Sequence, residues 1–312
     1  MVYVFRSADS VSARLLAQEV DGIRLKQEVN LRRRVRPTDK IVMWGAYVPN
    51  IIGKVINNVP LRNKFEDAIM LKEAGIRTVE VSRTMPQPVV QPTPVDPLIA
   101  VWNTAADAAE AFIQLEPTRS QVARDGISDL VRMLTVVYEA TGVPAPMAPP
   151  PQPVGTWLAR KFNHVGGNDL LNPNTIADYY SKKEDFINEY RVHSFFGRSI
   201  RSGKKIHRTI RSETPFYGTP HAWVRSFNAG WQISYANDVG VKQKHRDIAH
   251  QAVKALGLSF GAVDIGEKAD GTLVVLECNR APGVEGGTTE AYSRAIRRWV
   301  AGEWTHETIA VA

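Results

Sequence analysis

The apolar positions fall into a few continuous runs and several spaced series. Val2-Tyr3-Val4-Phe5 and Ile41-Val42-Met43-Trp44-Gly45 are unbroken runs of strand length and predict buried strands. Between them, Ser7 to Ser10 supplies turn and cap residues, and Val11 to Val20 carries helical spacing at Val11, Leu15, Leu16 and Ala17. Strand–helix–strand units of this kind build open parallel sheets. Leu31-Arg32-Arg33-Arg34-Val35-Arg36-Pro37 reads as a basic surface loop. A nucleic-acid contact is the sharper alternative there, but no interleaved aromatics offer base stacking. Asn63 to Ile76 predicts a helix with Asn63 as its cap, Glu66 three residues on, and Gly75 as its terminator.

The middle of the chain reads less regularly. Residues 85–98 are proline-rich and predict a loop, Ile99 to Trp102 a strand, and Thr104 to Leu115 an alanine-rich helix. A further helix is predicted from about Val122 to Thr141, with Gly126 weakening its start. Pro144 to Pro153, six of whose ten residues are proline, predicts an extended connector; an SH3-type ligand is the alternative. Thr156 to Phe162 is a strand that runs into a loop holding Gly166 and Gly167. Phe186 to Phe195 alternates as a strand. Gly197 to Lys205 nearly spells a phosphate-binding loop, but five residues separate its glycines and Lys205 stands where Ser or Thr would hold magnesium. It fits better as a turn, with Lys204 or Lys205 opening the next strand.

Toward the C-terminus, Asp247 to Gly257 is an amphipathic helix with Ala249, Ala252, Val253 and Leu256 inward. Gly261 to Gly266 and Val274 to Asn279 are apolar strands separated by the turn residues Ala269-Asp270-Gly271. Glu277 and Asn279 share one strand face while Cys278 takes the other. If the strands pair, Asp264 joins them, and two carboxylates and an amide oxygen converge. Such an oxygen-only set suits a hard cation such as magnesium; a hairpin with solvated acids is the plainer alternative. A last helix, capped by Thr288 or Thr289, puts Tyr292, Ala295, Ile296 and Trp299 on one face and Arg294, Arg297 and Arg298 on a solvated one.

Composition narrows the classes. With 312 residues, 44% of them hydrophobic, the chain can bury a large core in two or three subdomains. No apolar run approaches a membrane span, and no signal peptide is evident at Met1 to Arg6. A single cysteine excludes a disulfide framework and cysteine-based zinc sites, and makes a reducing cytoplasm the simplest location. The net charge of +7 suits an anionic partner such as ATP, nucleic acid or an acidic protein, without choosing among them. Nothing in the sequence fixes an oligomeric state.

Asp264 together with Leu276-Glu277-Cys278-Asn279-Arg280-Ala281-Pro282-Gly283-Val284-Glu285-Gly286 resembles the C-terminal signature of ATP-grasp carboxylate–amine ligases. The pattern is nearest to ligases that add glutamate to a ribosomal protein and more distant from D-alanine–D-alanine ligases. The resemblance covers about residues 60–84 and 156–300. It implies an α/β (α+β) ATP-grasp fold, an open parallel N-terminal sheet domain followed by two subdomains that clasp ATP. The expected boundaries are 1–62 for the N-terminal domain, 63–178 for the lid with a proline-rich insertion near 116–153, and 179–312 for the catalytic part.

The same resemblance implies an ADP-forming ligase that joins a small-molecule or peptide carboxylate to an amine through an acyl phosphate. ATP and magnesium are the implied cofactors, with manganese as an alternative ion. Asp264, Glu277 and Asn279 would hold the metal. Lys64, Lys161, Gly166, Gly167 and Lys205 would meet phosphates, Asp178 and Tyr180 belong to the hinge that receives adenine, and Glu189 would face the ribose. Arg225 would stabilise the acyl phosphate. Where some family members carry an arginine, two residues before the metal aspartate, this chain has Ala262, so Arg225, Arg208 or Arg280 must meet that charge. A kinase acting on a hydroxyl and a basic nucleic-acid-binding protein on a nucleotide-binding fold are the alternatives.

Overall fold

The computed structural model describes residues 1–6, 9–84, 157–162, 177–209, 216, 219–222, 224–236 and 240–305. The chain divides into two compact units, Met1–Met85 with Trp157–Ala312 and Pro86–Thr156, and the described residues belong to the first. The loop at 85–98, the strand and helices expected between 99 and 141, the proline-rich connector and the pair Gly166 and Gly167 lie outside the described residues.

The described chain is a mixed α/β protein with one parallel and two antiparallel sheets. The parallel sheet has the order β2-β1-β3-β4, from strands β1 (Val2–Phe5), β2 (Ile23–Leu25), β3 (Lys40–Met43) and β4 (Lys54–Ile56). Helix α1 (Val11–Glu19) crosses over from β1 to β2, with Ser10 accepting the Ala13 N–H as its cap. Two elements differ from expectation. β2 intervenes before the second expected strand, and the expected basic loop is largely helix α2 (Glu28–Arg34), whose Leu31 is buried while Arg32, Arg33 and Arg34 face solvent. A three-residue strand centred on Arg24 leaves too short a pattern to read.

Both faces of this sheet are covered. Tyr3, Phe5, Ile41 and Met43 pack with Leu25 and Leu31 on one side. Val4, Val42 and Trp44 pack on the other with α1 and the C-terminal helix α5 (Gly287–Ala301). Trp44 is fully buried, stacked on Phe260 at 5.2 Å and edge-on to Tyr292 at 5.2 Å. This aromatic cluster joins the parallel sheet to the central one.

The central sheet is antiparallel throughout, in the order β10-β9-β8-β11-β12. Its strands are β8 (Asn188–Phe195), β9 (Arg198–His207), β10 (Trp231–Ser234), β11 (Phe260–Glu267) and β12 (Leu273–Asn279). Phe196 (φ 44°) and Gly197 (φ 68°) form a two-residue left-handed turn between β8 and β9. Arg198 to His207 is therefore strand, and the chain turns at Phe196 and Gly197 instead of over the expected 197–205. One face, with Tyr190, Val192, Val263, Ile265, Val275 and Cys278, packs against helices α3 (Lys64–Glu73) and α4 (Gln243–Ala255). α4 starts four residues ahead of its expected Asp247, and its predicted inward residues Ala249, Ala252, Val253 and Leu256 are all buried. The third sheet, β5-β7-β6, is built from Val81–Ser82, Tyr179–Lys182 and Trp157–Arg160.

α3 carries the capping box read from its sequence: Asn63 accepts the Glu66 N–H, and Glu66 accepts the Asn63 N–H, each at 3.0 Å. Asn63→Ala is expected to cost about 1 kcal/mol, with urea unfolding as the check. An unchanged midpoint would mean that tertiary contacts alone hold this turn. α5 is capped by Gly286, whereas Thr288 and Thr289 lie buried inside its first turn. Among the described residues no helix is long and apolar enough to cross a membrane.

Candidate functional site

Beyond the aromatic end at Phe195 and Phe260, the second face of the central sheet is polar. Strand alternation gives β8 an apolar face at Tyr190 and Val192 and turns Glu189, Arg191 and His193 the other way. On β11, Asp264 shares that polar face, since Val263 and Ile265 enter the core. Pairing then puts Asp264 directly beside Arg191 on one flank and Glu277 on the other.

A β-bulge decides which side Glu277 takes. The register shifts between Asp264 and Ile265, so Asp264 pairs with Glu277, Ile265 pairs with Val275, and Leu276 is the extra residue. The bulge resets the period of two, so Val275 and Cys278 both enter the core and Glu277 and Asn279 remain on the polar face. Cys278 is buried, which pushes its thiol up.

Two carboxylates directly opposed on neighbouring strands repel each other unless cations intervene. Here Arg191 grips Asp264 with both prongs, Nε to Oδ1 at 2.6 Å and Nη2 to Oδ2 at 2.7 Å. Lys64, in the first turn of α3, donates to Glu277 Oε2 at 2.6 Å, and Asn279 Nδ2 donates to Glu277 Oε1 at 2.7 Å. Lys205 donates to Glu189 at 2.8 Å and stands 3.7 Å from Asp264. Arg225 completes the set. It lies 3.7 Å from Glu189, donates to the Phe186 carbonyl and covers the Trp231 ring at 4.8 Å. Four cations from four segments thus surround three acids on one face.

The electrostatics follow from this crowding. Burial alone would raise the Asp264 carboxyl, but Arg191 and then Lys205 overcome it and hold the group far below the usual carboxylate range. Burial and Asp264 both push Glu277 up, yet Lys64 and Arg191 keep it below its ordinary value. Burial likewise opposes the Lys205 charge, and Asp264 and Glu189 restore it. Asp264 and Glu277 are therefore ionised and Lys205 is charged at neutral pH.

Beneath this layer His193 is fully buried, with Nδ1 3.2 Å from the Tyr292 hydroxyl and Nε2 2.9 Å from the Tyr235 hydroxyl. Burial, followed by Arg191, depresses it to about 3. Burial also lowers His245 and His250. A histidine held neutral by the fold contributes stability above its ordinary pKa of 6.5, and that contribution is lost as pH falls below it. Stability is therefore expected to drop between pH 7 and pH 5, by about 2 kcal/mol in all for His193 alone. Urea midpoints across that range check this, and His193→Gln should flatten the slope.

The remaining sequence-derived candidates group differently. Lys161, just past β6, stands 3.4 Å from Asp178, whose other oxygen accepts the Phe162 N–H at 2.9 Å. Both flank strands of the third sheet, Lys161 just after β6 and Asp178 just before β7, which carries Tyr180. Tyr179 of that sheet packs on Phe162 and on Phe65 of α3, with Arg83 over both phenylalanine rings. Arg280 binds Asp67 at 3.1 and 3.2 Å and the Pro60 carbonyl at 3.0 Å, fastening the exit of β12 to α3. Arg208 donates to the Phe227 carbonyl and stacks over its ring. Arg191 is the site residue missing from the sequence reading. Its signal was present, a charge two residues after Glu189 on the polar phase of an alternating strand, but its partner Asp264 is 73 residues away.

No protein-family model matches the sequence, and no curated protein matches it. Solved structures give remote likenesses. The ATP-grasp ligase PsnB complexed with minimal precursor, Mg and ADP is 11% identical with a TM-score of 0.47, over 96% of this chain and 98% of that one. D-alanine–D-alanine ligase from Bacillus anthracis complexed with ATP is 11% identical with a TM-score of 0.48, over 99% and 98%. The D-cycloserine synthetase DcsG is 13% identical with a TM-score of 0.47, over 96% and 99%.

Proposed function

We propose that the polar face of the central sheet binds ATP with magnesium and that the protein is an ATP-dependent ligase of the ATP-grasp kind. The observation that carries this is the convergence of Lys64, Arg191, Lys205 and Arg225 around Asp264, Glu277 and Asn279 on one sheet face. A polyanion with a divalent counter-ion matches a site holding both kinds of charge. The donor set fits a hard cation: two ionised carboxylates and an amide oxygen. Magnesium, when bound there, supplies charge neutralisation on phosphate oxygens.

The carboxylates are neutralised by the protein's own cations. On nucleotide binding Lys64 turns from Glu277 and Arg191 from Asp264 toward phosphate oxygens, while Lys205 stays anchored by Glu189. Lys161, just past β6, takes the α- and β-phosphates, and Asp178, Tyr180 and Glu189 border the nucleoside. The division into 1–62, 63–178 and 179–312 belongs to the same reading. A substrate carboxylate oxygen attacks the γ-phosphorus, ADP leaves, and an acyl phosphate forms. An amine then attacks the acyl carbon, expels phosphate and yields the amide. Arg225 sits over the charge that develops during transfer, a role that Ala262 cannot fill.

The test is ATP turnover with pooled carboxylates and amines, with hydroxylamine as a trap. A hydroxamate with ADP release supports the reading. Release of AMP, or a stable phosphate ester on a hydroxyl, overturns it in favour of adenylation or kinase chemistry.

A further inference from the structure

The arginines at the start of β9 and on the outer face of α5 have no part in the chemistry above. We propose that the groove between these two elements docks an extended acidic peptide segment of a partner or substrate protein. The groove holds two adjoining cavities of about 350 and 340 Å³, which share Ile200, Ala291 and Arg294. Arg198 and Arg298 line the first, Arg201 and Tyr235 the second.

A second bulge builds this surface. The β8–β9 register shifts after His193, so Arg201 pairs with His193, Ser199 with Ser194, and Arg198 with Phe195. His193 and Phe195 share one face, and the extra residue Ile200 therefore puts Arg198 and Arg201, three positions apart, on that same face beneath α5. Without the bulge they would point to opposite sides. From above, α5 adds Arg294 and Arg298, one turn apart and both exposed.

The counter-charges within the groove are weak. Glu290 reaches Arg294 and Glu303 reaches Arg298 only at 3.8 Å, in pairs that are more than half exposed. Arg201 covers the Tyr235 ring at 4.1 Å, and its Nε is buried without a hydrogen-bond partner. A guanidinium left in this state suits a planar carboxylate.

Two features favour a peptide over a nucleic acid. The aromatic rings of the groove are occupied: Trp304 carries Arg198 at 5.4 Å and Arg298 at 5.3 Å, and Tyr235 lies under Arg201, so among the described lining residues no free ring offers base stacking. In addition, β10 pairs with β9 only over Lys204–His207. Among the described residues, Arg198 to Ser202 therefore has no strand partner on that side, and an extended peptide can bond to such an edge.

The test is fluorescence anisotropy on the full chain without nucleotide, so that its outcome is independent of the ligase reading. The probes are a short labelled peptide of alternating glutamate and valine, its glutamine–valine counterpart, and a labelled single-stranded oligonucleotide. The glutamate peptide is expected to bind in a salt-sensitive manner. Arg294→Glu with Arg298→Glu should weaken it at least tenfold. Arg33→Glu with Arg34→Glu on α2, an equal change of charge at exposed positions, should leave it within about twofold. Absence of glutamate-peptide binding, equal losses in both double variants, or tighter binding of the oligonucleotide at the same arginines overturns the proposal. Both variant pairs lie on the surface, and circular dichroism confirms that they fold.

Discussion

Glu277→Gln is expected to retain the fold and lose magnesium-dependent ATP turnover by at least ~10²-fold, because it removes one of two anionic donors from the candidate metal site. Its structural cost is small. Glu277 and Lys64 keep 23% and 28% side-chain exposure, so water can take over the lysine, and a glutamine oxygen can still accept from it. Asp264→Asn should lose turnover equally and also lose stability. Its carboxylate is 5% exposed and holds both prongs of Arg191, so an amide there strands a charge in a dry setting. Breaking such a pair costs about 3–5 kcal/mol. The two variants together separate chemistry from folding: turnover and denaturation measured side by side should show one shared defect and one that belongs to Asp264 alone. Unchanged turnover in Glu277→Gln would remove it from the metal site.

Arg225→Ala is expected to bind ATP nearly as the parent does and to turn over ~10²–10³ more slowly, the usual consequence of losing one preorganised donor aimed at developing charge. Arg225 is held by the Phe186 carbonyl and the Trp231 ring, so its guanidinium is positioned before substrate arrives. Arg225→Lys keeps the charge but not the flat fork and should recover only part of the rate. Loss of ATP affinity in Arg225→Ala would move the residue into the nucleotide site and leave the ligase reading standing.

The strands and helices with whole periods were legible. β1, α1, α3, β8, β11 and β12 announce themselves by continuous runs, alternation or caps, and the predicted inward residues of α4 and α5 are all buried. β2 and β4 were not legible, since three residues hold neither a period nor a boundary. The sharing of one face by Glu277 and Asn279 follows from alternation alone. The side that face takes relative to Asp264 depends on the bulge at Leu276, which only pairing reveals. The same holds for Arg191 and Asp264, whose contact is created by the β8–β11 register. Arg280 illustrates the converse. It follows the acidic motif directly in sequence, yet its side chain leaves for Asp67 and α3, because the chain turns at that point.

Calorimetric titration with a non-hydrolysable ATP analogue tests whether this face is a magnesium–nucleotide site. The parent protein should bind the analogue with magnesium present and far more weakly in EDTA, and Glu277→Gln should lose at least tenfold of the magnesium-dependent affinity. No binding by the parent, or equal binding by parent and variant with and without magnesium, would contradict the account.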